Sequence, residues 1–591
     1  MWAPDSHRVD VAYERLGAHV TTPLEPLGDG TFGGWIGGIG AGTTYAFRLD
    51  GERLLPDPAS RYQPNGVRGP SAIVDAREFA WTDANWRGRP LADLVFYELH
   101  VGTFSEAGTF AGLQSKLEYL RLLGVTAIEL MPVAEFAGSR NWGYDGVFLF
   151  APSHRYGHPD DLRRVVDAAH RLGIAVVVDV VYNHVGPDGA CWSSYTPRYF
   201  NDRHQTPWGA AVNLDGDDAG RVRELLIENA LHWIHEYHVD GLRLDATHQF
   251  FDTSEFHFLA ELRRTVDESI VDRDVILIAE DERRQIRPIL SRADGGFGLD
   301  AVWADDFHHE VRRLLAGDCD GYFRRYRGTA AAVAGAIERG GQFDADPDDL
   351  ARSVICLQNH DQIGNRAFGE RLHHQIDPAV YRAASTLLLC APETPLLFMG
   401  QEWAASTPFR YFTDHEAELG RAVTEGRREE FAAFSAFQDP ETRASIPDPQ
   451  DERTFVCSRL RWAELADEDH RRVFRLYQAL LALRRTHAAL RSTARHSVTA
   501  AAIDDSTVAL WRYASTGASD AMLIVVRLAG GGTVNVPLSP VQATGRWTTV
   551  FCTEDASFVE EPAPIRVELA ATSVRVSFAR PAAIVLRVPT V

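Results

Sequence analysis

Lysine is almost absent from this chain of 591 residues: Lys116 is the only one, and arginine supplies the rest of the 60 basic side chains. A catalytic lysine that forms a Schiff base is therefore almost excluded. Cysteine is also scarce. Six cysteines (Cys191, Cys319, Cys356, Cys390, Cys457, Cys552) are scattered without paired spacing, which excludes a disulfide framework and a zinc pattern and favours a reducing cytosol. No apolar run reaches the ~18–20 residues that a membrane span needs.

Positive charge is in deficit as well. The chain has 60 Lys and Arg against 82 Asp and Glu, a net charge of −22. This balance argues against nucleic acid or an anionic membrane as the main partner, since both require a basic face. It favours a neutral or cationic ligand, or none. The first residues, MWAPDSHR, have neither the basic nor the apolar region of a signal peptide, so we expect a cytoplasmic protein.

The predicted secondary structure changes twice along the chain. Residues 1–90 contain short β-like segments broken by Gly and Pro, such as TTYAFRLD at 43–50, which predict an N-terminal β-sandwich. Residues 91–492 alternate strand-like and helix-like segments, with an irregular insertion at about 185–218. Residues 493–591 again contain strand-like runs, at 507–513, 521–528, 565–569 and 582–588. These runs predict a C-terminal β-sandwich.

The central region contains eight strand-like runs, at 94–101, 127–133, 175–184, 241–246, 275–280, 301–307, 353–361 and 395–402. They are continuously apolar, which indicates strands buried on both faces of a parallel sheet covered by helices. Segments with helical periodicity lie between them, for example at 110–124 and 161–173, and a long helix is expected at 470–490. The predicted fold class is therefore α/β: a (β/α)8 TIM barrel flanked by an N-terminal and a C-terminal β-sandwich.

In this barrel the active site lies at the carboxyl ends of the strands. The polar residues at those ends are, strand by strand, Asp179, Asn183 and His184; Arg243, Asp245 and His248; Glu280; Asp305 and Asp306; Asn359, His360 and Asp361; and Gln401 and Glu402. A mouth rich in carboxylates, without matching lysines, points to glycoside chemistry. In that chemistry one carboxylate attacks the anomeric carbon and another protonates the leaving oxygen.

Two carboxyl groups occupy environments that should separate their pKa values. Residues two apart on a strand share a face, so Arg243 and Asp245 point the same way, and the guanidinium favours the ionised form of Asp245 that a nucleophile needs. Glu280 follows an apolar run, which should raise its pKa and keep it protonated as the acid. Asp361 could hold sugar hydroxyls and strain the ring toward an oxocarbenium shape.

Ordinary structural roles compete with each of these assignments. A single Asp at a strand end is more often a loop cap than a catalyst, and a lone His is more often a satisfied structural residue. The segment DDFHH (305–309) alone could be a helix N-cap with a solvated face, or a metal site. These alternatives weaken because the signals recur at the same end of successive strands. For the cysteines, and for tryptophans such as Trp192, we expect a structural role and no part in binding or catalysis.

Four segments resemble the conserved regions of the α-amylase family of glycoside hydrolases: DVVYNH (179–184), GLRLDATH (241–248), IAED (278–281) and QNHDQ (358–362). The resemblance implies Asp245 as nucleophile, Glu280 as general acid/base and Asp361 as transition-state stabiliser. It also implies a retaining mechanism, with the two carboxyls of Asp245 and Glu280 ~5–5.5 Å apart. Neither a metal ion nor a cofactor is required by that mechanism, and we expect a monomer.

The same resemblance implies the substrate-binding residues. Tyr144 of WGYD would be the aromatic platform under the reacting sugar, and Arg243, His184 and His360 would line its subsite. The further residues expected to contact substrate are Asp179, Leu244, Ala246, Thr247, His248, Asp305, Asp306, Phe307, His308, His309, Asn359, Gln362, Ile363, Gly364, Asn365, Gln401 and Glu402.

Other segments resemble the trehalose-releasing hydrolases of this family more than its branching enzymes: 198–216, AEDER (279–283), WADDFHH (303–309) and FTDH (412–415). That likeness implies cleavage of the α-1,4 bond next to the terminal trehalose of maltooligosyl-trehalose, with other α-1,4-glucans as related ligands. The DDFHH residues would bind the leaving sugar. Changing Asp306 or His308 should therefore impair trehalose release more than it impairs hydrolysis of plain maltooligosaccharides. The alternatives are a glucan-branching transferase and a non-catalytic α-glucan-binding protein.

Overall fold

The eight predicted strands close into a parallel barrel in the computed structural model, which describes residues 1–514, 521–538, 547–570 and 572–588. The α/β class and the (β/α)8 barrel flanked by β-sheets are thereby confirmed. Barrel strands 1 to 8 are Phe96–Leu99, Ala127–Leu130, Ala175–Val180, Gly241–Leu244, Ile276–Ala279, Ala301–Trp303, Ser353–Cys356 and Thr394–Phe398. Each pairs in parallel with the next, and strand 8 pairs with strand 1.

The barrel lumen is apolar toward the amino ends of the strands and charged toward their carboxyl ends. Phe96, Val177, Ile278 and Trp303 belong to one buried cluster that fills it. The residues two positions further along are Glu98 and Asp179, which point the same way within strands 1 and 3, and Glu280 and Asp305, which come just after strands 5 and 6. The period-2 geometry of the strands therefore stacks carboxyl groups directly above the apolar filling, at the carboxyl ends.

Helices cover the outside of the barrel. The predicted helix at 110–124 is divided in two, and its second part ends at Gly124 with φ of 106°, as its glycine indicated. None of the helices in the described ranges is both long and apolar enough to cross a membrane. The α-helices are Val101–Phe104, Phe110–Gln114, Leu117–Leu123, Pro159–Arg171, Trp192–Tyr195, Ala219–Glu236, Phe258–Ser269, Asp306–Ala316, Ala330–Arg339, His360–Gly364, Pro378–Cys390, Ala417–Glu430, Ser435–Gln438, Pro440–Ser445, Glu452–Cys457, Glu468–Thr486 and Ala488–Arg491.

Before the barrel, the chain is built of antiparallel β-structure. One sheet contains Val9–Arg15, Ala18–Pro23, Thr44–Leu49, Leu54–Leu55 and Ser71–Ala72, and a separate pair contains Glu25–Gly28 and Thr31–Gly33. The strand expected at 43–50 is present. The chain then crosses toward the barrel floor, where the indole of Trp86 donates to Asp240, the residue that precedes strand 4, at 2.6 Å.

Two strand pairs lie in the connections between barrel strands. Ala134–Phe136 pairs with Gly146–Pro152, and Phe200–Thr206 pairs with Gly209–Val212. The second pair falls in the segment expected to be irregular, so that expectation is wrong for these residues. The strand FNDRHQT has only one apolar residue, Phe200, and it therefore lacks the apolar alternation by which a strand is recognised.

The C-terminal region forms two facing sheets. The larger contains Val498–Asp504, Thr507–Tyr513, Ala521–Arg527, Ala582–Val588 and Thr548–Cys552, and the smaller contains Gly532–Pro537, Ser573–Phe578 and Arg566–Leu569. Alternate residues of the larger sheet pack in opposite directions. Trp511 and Leu523 join the cluster with the smaller sheet, whereas Leu510 and Ile524 join the core that includes the barrel helices. The central strands Thr507–Tyr513, Ala521–Arg527 and Ala582–Val588 are therefore buried on both faces, whereas the edge strand Thr548–Cys552 is partly exposed.

Candidate active site

Arg243 is the centre of the charged layer at the barrel mouth. It is 1% exposed; its Nη1 lies 2.7 Å from Asp179 and 2.8 Å from Asp245, and its Nη2 lies 2.7 Å from Glu280. Its guanidinium also stacks over the indole of Trp303 at 4.3 Å. One buried cation therefore holds three carboxyl groups from strands 3, 4 and 5 together.

Asp245 is held at both oxygens. Arg243 donates to its Oδ1, and the amide of Asn183 donates to its Oδ2 at 2.9 Å. The Oδ1 atom of Asn183 in turn contacts Nδ1 of His184, whose ring stacks on Trp208. The carboxylate is thus fixed in orientation at the mouth, and the side chains after strand 3 provide this support.

Glu280 is bonded through a single oxygen. Its Oε2 accepts from Arg243 and, at 3.0 Å, from the backbone N–H of Ala246. Burial raises the pKa of Glu280 well above its usual range; the cation of Arg243 opposes the shift, and the charges of Asp245 and Asp361 add to it. A carboxyl that is kept protonated in this way can act as an acid near neutral pH.

The backbone after strand 4 is shaped to reach Glu280. Ala246 has φ of 42°, a left-handed conformation that is costly for a residue with a side chain, and this conformation directs its N–H to the carboxyl. The hydroxyl of the next residue, Thr247, lies 2.8 Å from the backbone carbonyl of Glu280 and 3.0 Å from Asp281, and its single hydrogen can be donated to either acceptor. These two predicted substrate residues therefore position the acid.

Tyr144, Asp179 and His360 form a second chain of contacts. The Tyr144 hydroxyl lies 2.6 Å from Oδ2 of Asp179 and 2.8 Å from Nε2 of His360. The rings of Tyr144 and His360 also stack, with centroids 5.2 Å apart. Burial raises the pKa of Asp179 to about 6, against the lowering influence of Arg243. These residues form one wall of the mouth beside Arg243.

Asp361 is oriented from a distant part of the chain. Asn365 donates to its Oδ1 at 2.5 Å, and the guanidinium of Arg427 donates to Asn365 and to the carbonyl of Gly364 at 2.9 and 2.8 Å. Arg427 stacks over Tyr411 at 4.2 Å. Asn359 begins the short helix that carries Asp361, because its side chain accepts from the backbone N–H of the third residue beyond it.

The five residues at the end of strand 6 are divided by the helix that begins there. Asp305 faces the other carboxyls, and its pKa is raised to about 7 by burial and then by the charges of Asp361 and Asp306. Asp306 accepts from the backbone N–H of Gln342 at 2.8 Å and pairs with Arg284 at 3.2 Å.

The other three residues of this segment pack inward or sideways. Phe307 is 1% exposed and lies in the core, and His308 contacts the carbonyl of Leu357 at 2.7 Å through Nδ1. His309 contacts the carbonyl of Asp305 at 2.7 Å and stacks on Tyr326. The expectation that Phe307 offers a ring face to sugar and that His308 binds it is therefore wrong, because both are packed in the barrel wall.

Gln401 and Glu402 also lie away from the mouth. Both are 0% exposed. Glu402 accepts from the hydroxyls of Tyr97 and Tyr119, each at 2.9 Å, and Gln401 donates to Tyr477 at 3.1 Å. Tyr97 points from strand 1 into the layer between barrel and helices, so the expected substrate contacts of Gln401 and Glu402 are replaced by structural ones.

The remaining predicted residues are of two kinds. Leu244 and Ile363 are core side chains with 0% and 1% exposure. Gln362 accepts from the hydroxyl of Tyr322 at 3.2 Å, and His248 is partly exposed 4.0 Å from Glu282. The last two can therefore contribute polar groups to the rim of the mouth.

Gly364 has a packing reason to be glycine. A Cβ atom at this position would lie 2.0 Å from the indole of Trp142, whose ring approaches His360 edge-on at 5.4 Å. We expect Gly364→Ala to lower the unfolding temperature, by a destabilisation of about 1–3 kcal/mol, and to reduce activity by displacing Trp142. Differential scanning calorimetry and initial rates measure the two effects.

Gly335→Ala is the matched control. Gly335 lies inside the helix Ala330–Arg339, and its added Cβ would come no closer than 3.9 Å to an arginine nitrogen. Because alanine is the better helix former by up to about 1 kcal/mol, this variant should be unchanged or slightly more stable. An equal loss of stability in both variants would contradict the packing argument.

Several residues at the mouth lie outside the predicted set. Glu98 contacts His360 through both oxygens, Trp303 lies beneath Arg243, Trp208 covers His184, and Arg427 supports Asn365. Among the described residues, no group of three or more His, Cys, Asp or Glu side chains is arranged to hold a metal ion. The only sequence signal for Glu98 is a carboxyl that interrupts the apolar run of strand 1.

Sequence similarity to curated proteins identifies the family. Residues 77–205 match the alpha-amylase catalytic domain family. A malto-oligosyltrehalose trehalohydrolase from Deinococcus radiodurans is 48% identical over 504 residues, which are 82% of this chain and 81% of that protein. This chain belongs to the malto-oligosyltrehalose trehalohydrolase family. The predicted resemblance to the α-amylase family, and to its trehalose-releasing branch, is thereby confirmed.

Other trehalohydrolases are similar over the same share of the chain. Those of Rhizobium sp. and Saccharolobus solfataricus are 41% and 38% identical, and each alignment covers 82% of this chain and 84% or 85% of the relative. A 1,4-alpha-glucan branching enzyme from Corynebacterium jeikeium is 29% identical and is covered to 60%. The trehalohydrolase family is therefore the better match than the branching enzymes.

Solved structures agree on the fold. A crystal structure described as an alpha amylase from Salmonella typhimurium superposes with a TM-score of 0.86 at 34% identity, and covers 100% of this chain and 97% of that one. A pullulanase from Paenibacillus barengoltzii gives a TM-score of 0.71 at 21% identity, covering 100% and 92%. At that identity the pullulanase supports the fold alone.

Proposed function

We propose that this protein is a retaining glycoside hydrolase that cleaves the α-1,4-glucosidic bond next to the terminal trehalose of maltooligosyl-trehalose and releases free trehalose. The observation that carries the chemistry is that one buried guanidinium, that of Arg243, contacts both Asp245 and Glu280. The trehalohydrolases at 38–48% identity support the choice of substrate.

The first step divides the work between the two carboxyls. The carboxylate of Asp245, fixed by Arg243 and Asn183, attacks the anomeric carbon on one face of the sugar. The protonated Glu280 gives its proton to the glycosidic oxygen, so that trehalose leaves and a glycosyl ester on Asp245 remains. Both contacts of Glu280 are to Oε2, and we therefore assign Oε1 to proton delivery.

The second step reverses the roles of acid and base. Glu280, now a carboxylate, takes a proton from a water molecule, whose oxygen attacks the anomeric carbon and releases the shortened glucan. Asp245 leaves as a carboxylate and is ready for another turnover. An inverting site would need its two carboxyls ~6.5–9.5 Å apart, and two carboxyls that share one guanidinium favour the shorter separation.

The leaving trehalose would lie on the strand-6 side of Glu280. Asp305 provides a carboxyl there, while Tyr144 and His360 bound the opposite side, where the reacting glucose would stack. Asp361, held by Asn365, would accept from sugar hydroxyls as the ring flattens. In this arrangement the carboxyls surround the carbon on which positive charge develops, which stabilises an oxocarbenium-like transition state.

A pair of substrates tests the proposal. Purified protein is incubated with a maltooligosyl-trehalose and, separately, with a maltooligosaccharide of the same number of glucose units, and products are separated by chromatography. We expect free trehalose and a shortened glucan, with kcat/KM at least about tenfold higher for the trehalose-ended substrate, equivalent to ~1.4 kcal/mol. Equal rates on both would reduce the function to general α-glucan hydrolysis. New α-1,6 branch points would indicate a transferase.

We further propose that the enzyme acts as a cytoplasmic monomer. Its six cysteines are free thiols, which suits a reducing compartment. Sedimentation of the purified protein gives the oligomeric state directly, and a sedimenting mass of twice 65.6 kDa would overturn the monomer.

A further inference from the structure

Glu98 is a buried carboxyl that the mechanism above does not use. It lies in barrel strand 1, it is 1% exposed, and it points into the lumen opposite Glu129 of strand 2. Its Oε2 accepts from the backbone N–H of His360 at 2.9 Å, and its Oε1 contacts Nδ1 of the same residue. Both oxygens of one buried carboxyl are therefore directed to a single residue at the active-site mouth.

We infer that Glu98 is a positioning residue that keeps the ring of His360 doubly protonated, so that both ring nitrogens donate and His360 presents a positive charge to the substrate. This inference rests on the proposed glycosidase function. It follows from counting hydrogens along the chain of contacts Glu98, His360, Tyr144 and Asp179.

The hydrogen at Nδ1 is fixed by Glu98. A carboxylate can only accept, so the contact between Oε1 and Nδ1 requires the proton on the ring. The partner carboxyl in the lumen is neutral: burial, and then the charge of Glu98, raise the pKa of Glu129 well above its usual range. Glu98 is the member of this pair whose two oxygens both contact His360.

The hydrogen at Nε2 is fixed by Tyr144. The phenol has one hydrogen, and at 2.6 Å its best acceptor is Oδ2 of Asp179, which also accepts from Arg243 at 2.7 Å. Burial and the charge of Asp179 raise the pKa of Tyr144, so the phenol stays protonated. With its hydrogen given to Asp179, the Tyr144 oxygen can only accept from His360, and Nε2 must carry a second proton.

The charged groups around the ring of His360 are consistent with a proton on each of its two nitrogens. Burial opposes a cation on His360, but the charge and hydrogen bond of Glu98 and the charge of Asp361 outweigh it and the opposing Arg243, so the pKa of His360 is raised. His100, which follows strand 1, adds no positive charge because burial lowers its pKa to about 4. The other close neighbours, Trp142 and Trp303, are uncharged rings.

A charged donor at this place has a consequence for turnover. Hydrogen bonds from a charged nitrogen are roughly twice as strong as those from a neutral one, and a doubly protonated ring keeps its positive charge beside the reacting sugar while Nδ1 donates to Glu98 and Nε2 donates to Tyr144. Loss of the Glu98 charge removes the main influence that raises the pKa of His360, while burial and Arg243 still lower it, so the ring should lose its second proton at or below its ordinary pKa of about 6.5. Activity would then fall at neutral and alkaline pH.

The test compares pH profiles of kcat/KM for the wild-type enzyme, Glu98→Gln and Glu129→Gln. We expect Glu98→Gln to lose at least about 30-fold relative to wild type at pH 8, as one proton with a pKa of about 6.5 or lower requires, and to approach the wild-type rate only as the pH falls below that value. Glu129→Gln removes a carboxyl that is already neutral and should leave the shape of the profile unchanged. Parallel profiles for wild type and Glu98→Gln would overturn the inference.

Two further variants keep the test decisive. Glu98→Asp retains the charge at a shorter reach, so its alkaline loss should be smaller than that of Glu98→Gln. If Glu98→Gln does not fold, an alkaline loss in Glu98→Asp beyond that of wild type supports the inference and a parallel profile contradicts it. Measurement on a plain maltooligosaccharide separates the two proposals, because the profile still reports on Glu98 even if no trehalose is released.

Discussion

Replacement of Asp245 by asparagine should abolish turnover while binding of α-glucan persists. The amide has nearly the same shape and can still contact Arg243, but it is too weak a nucleophile to form the glycosyl ester. Loss of a nucleophile that works together with its partners typically costs ~10⁴-fold or more in kcat. Initial rates on maltooligosyl-trehalose and isothermal titration with a maltooligosaccharide measure the two properties separately.

The control for this variant is Asp272→Asn, which changes an exposed aspartate before barrel strand 5 and should retain full activity. Asp245→Ala offers a complementary measurement with an activated glucosyl substrate and azide. The anion can enter the space left by the carboxylate and form a glucosyl azide of inverted configuration. Retention of more than a tenth of the activity by Asp245→Asn would remove Asp245 from the nucleophile's role.

Replacement of Glu280 by glutamine should lower kcat on the natural substrate by about 10²–10⁴-fold. The amide cannot protonate the glycosidic oxygen of trehalose. A substrate whose leaving group needs no proton, such as an α-glucosyl fluoride, should lose far less in its first step. The ratio of the losses on these two substrates identifies the acid, because a merely misfolded site would lose activity on both equally.

The pH dependence gives the second signature of Glu280. Burial raises its pKa, and the acid must be protonated, so wild-type activity is present below that pKa and declines as the pH rises through it. Glu280→Gln has no such proton, so its residual activity on maltooligosyl-trehalose should lack this alkaline decline. Glu282→Gln, two residues further on and exposed, should keep the wild-type profile. Persistence of the decline in Glu280→Gln would assign it to another group.

The barrel and the contact between Arg243 and Asp245 could be predicted because the apolar runs and the alternation of side chains along a strand agree. The apolar runs placed all eight strands, and the alternation within GLRLDA placed Arg243 and Asp245 on one face. The same rule failed where the chain leaves the strand. After strand 8 the turn directs Gln401 and Glu402 into the helix layer, since a change of one residue in register moves a side chain to the opposite face.

Residues that support the site were harder to recognise. Glu98 is not among the predicted site residues because it lies within strand 1, whereas the active site of such a barrel is expected at the strand ends. Its distance from the mouth depends on how deep each strand sits in the barrel, which the sequence of one strand does not determine. Arg427 lies 66 positions after Asp361 in a helix without any local sign of function, and only the folded chain brings it to Asn365.

The central strands of the larger C-terminal sheet are buried on both faces, and this affects how the protein can be divided. Arg512 illustrates the attachment: it is 0% exposed and donates to the backbone carbonyls of Cys390 and Leu490, which close two helices of the barrel's outer layer. A truncated enzyme that ended near residue 492 would carry a bare apolar wall and unpaired helix ends. The C-terminal sheets, which begin at Val498, are thus part of the packing of the catalytic barrel and cannot be removed as a separate module.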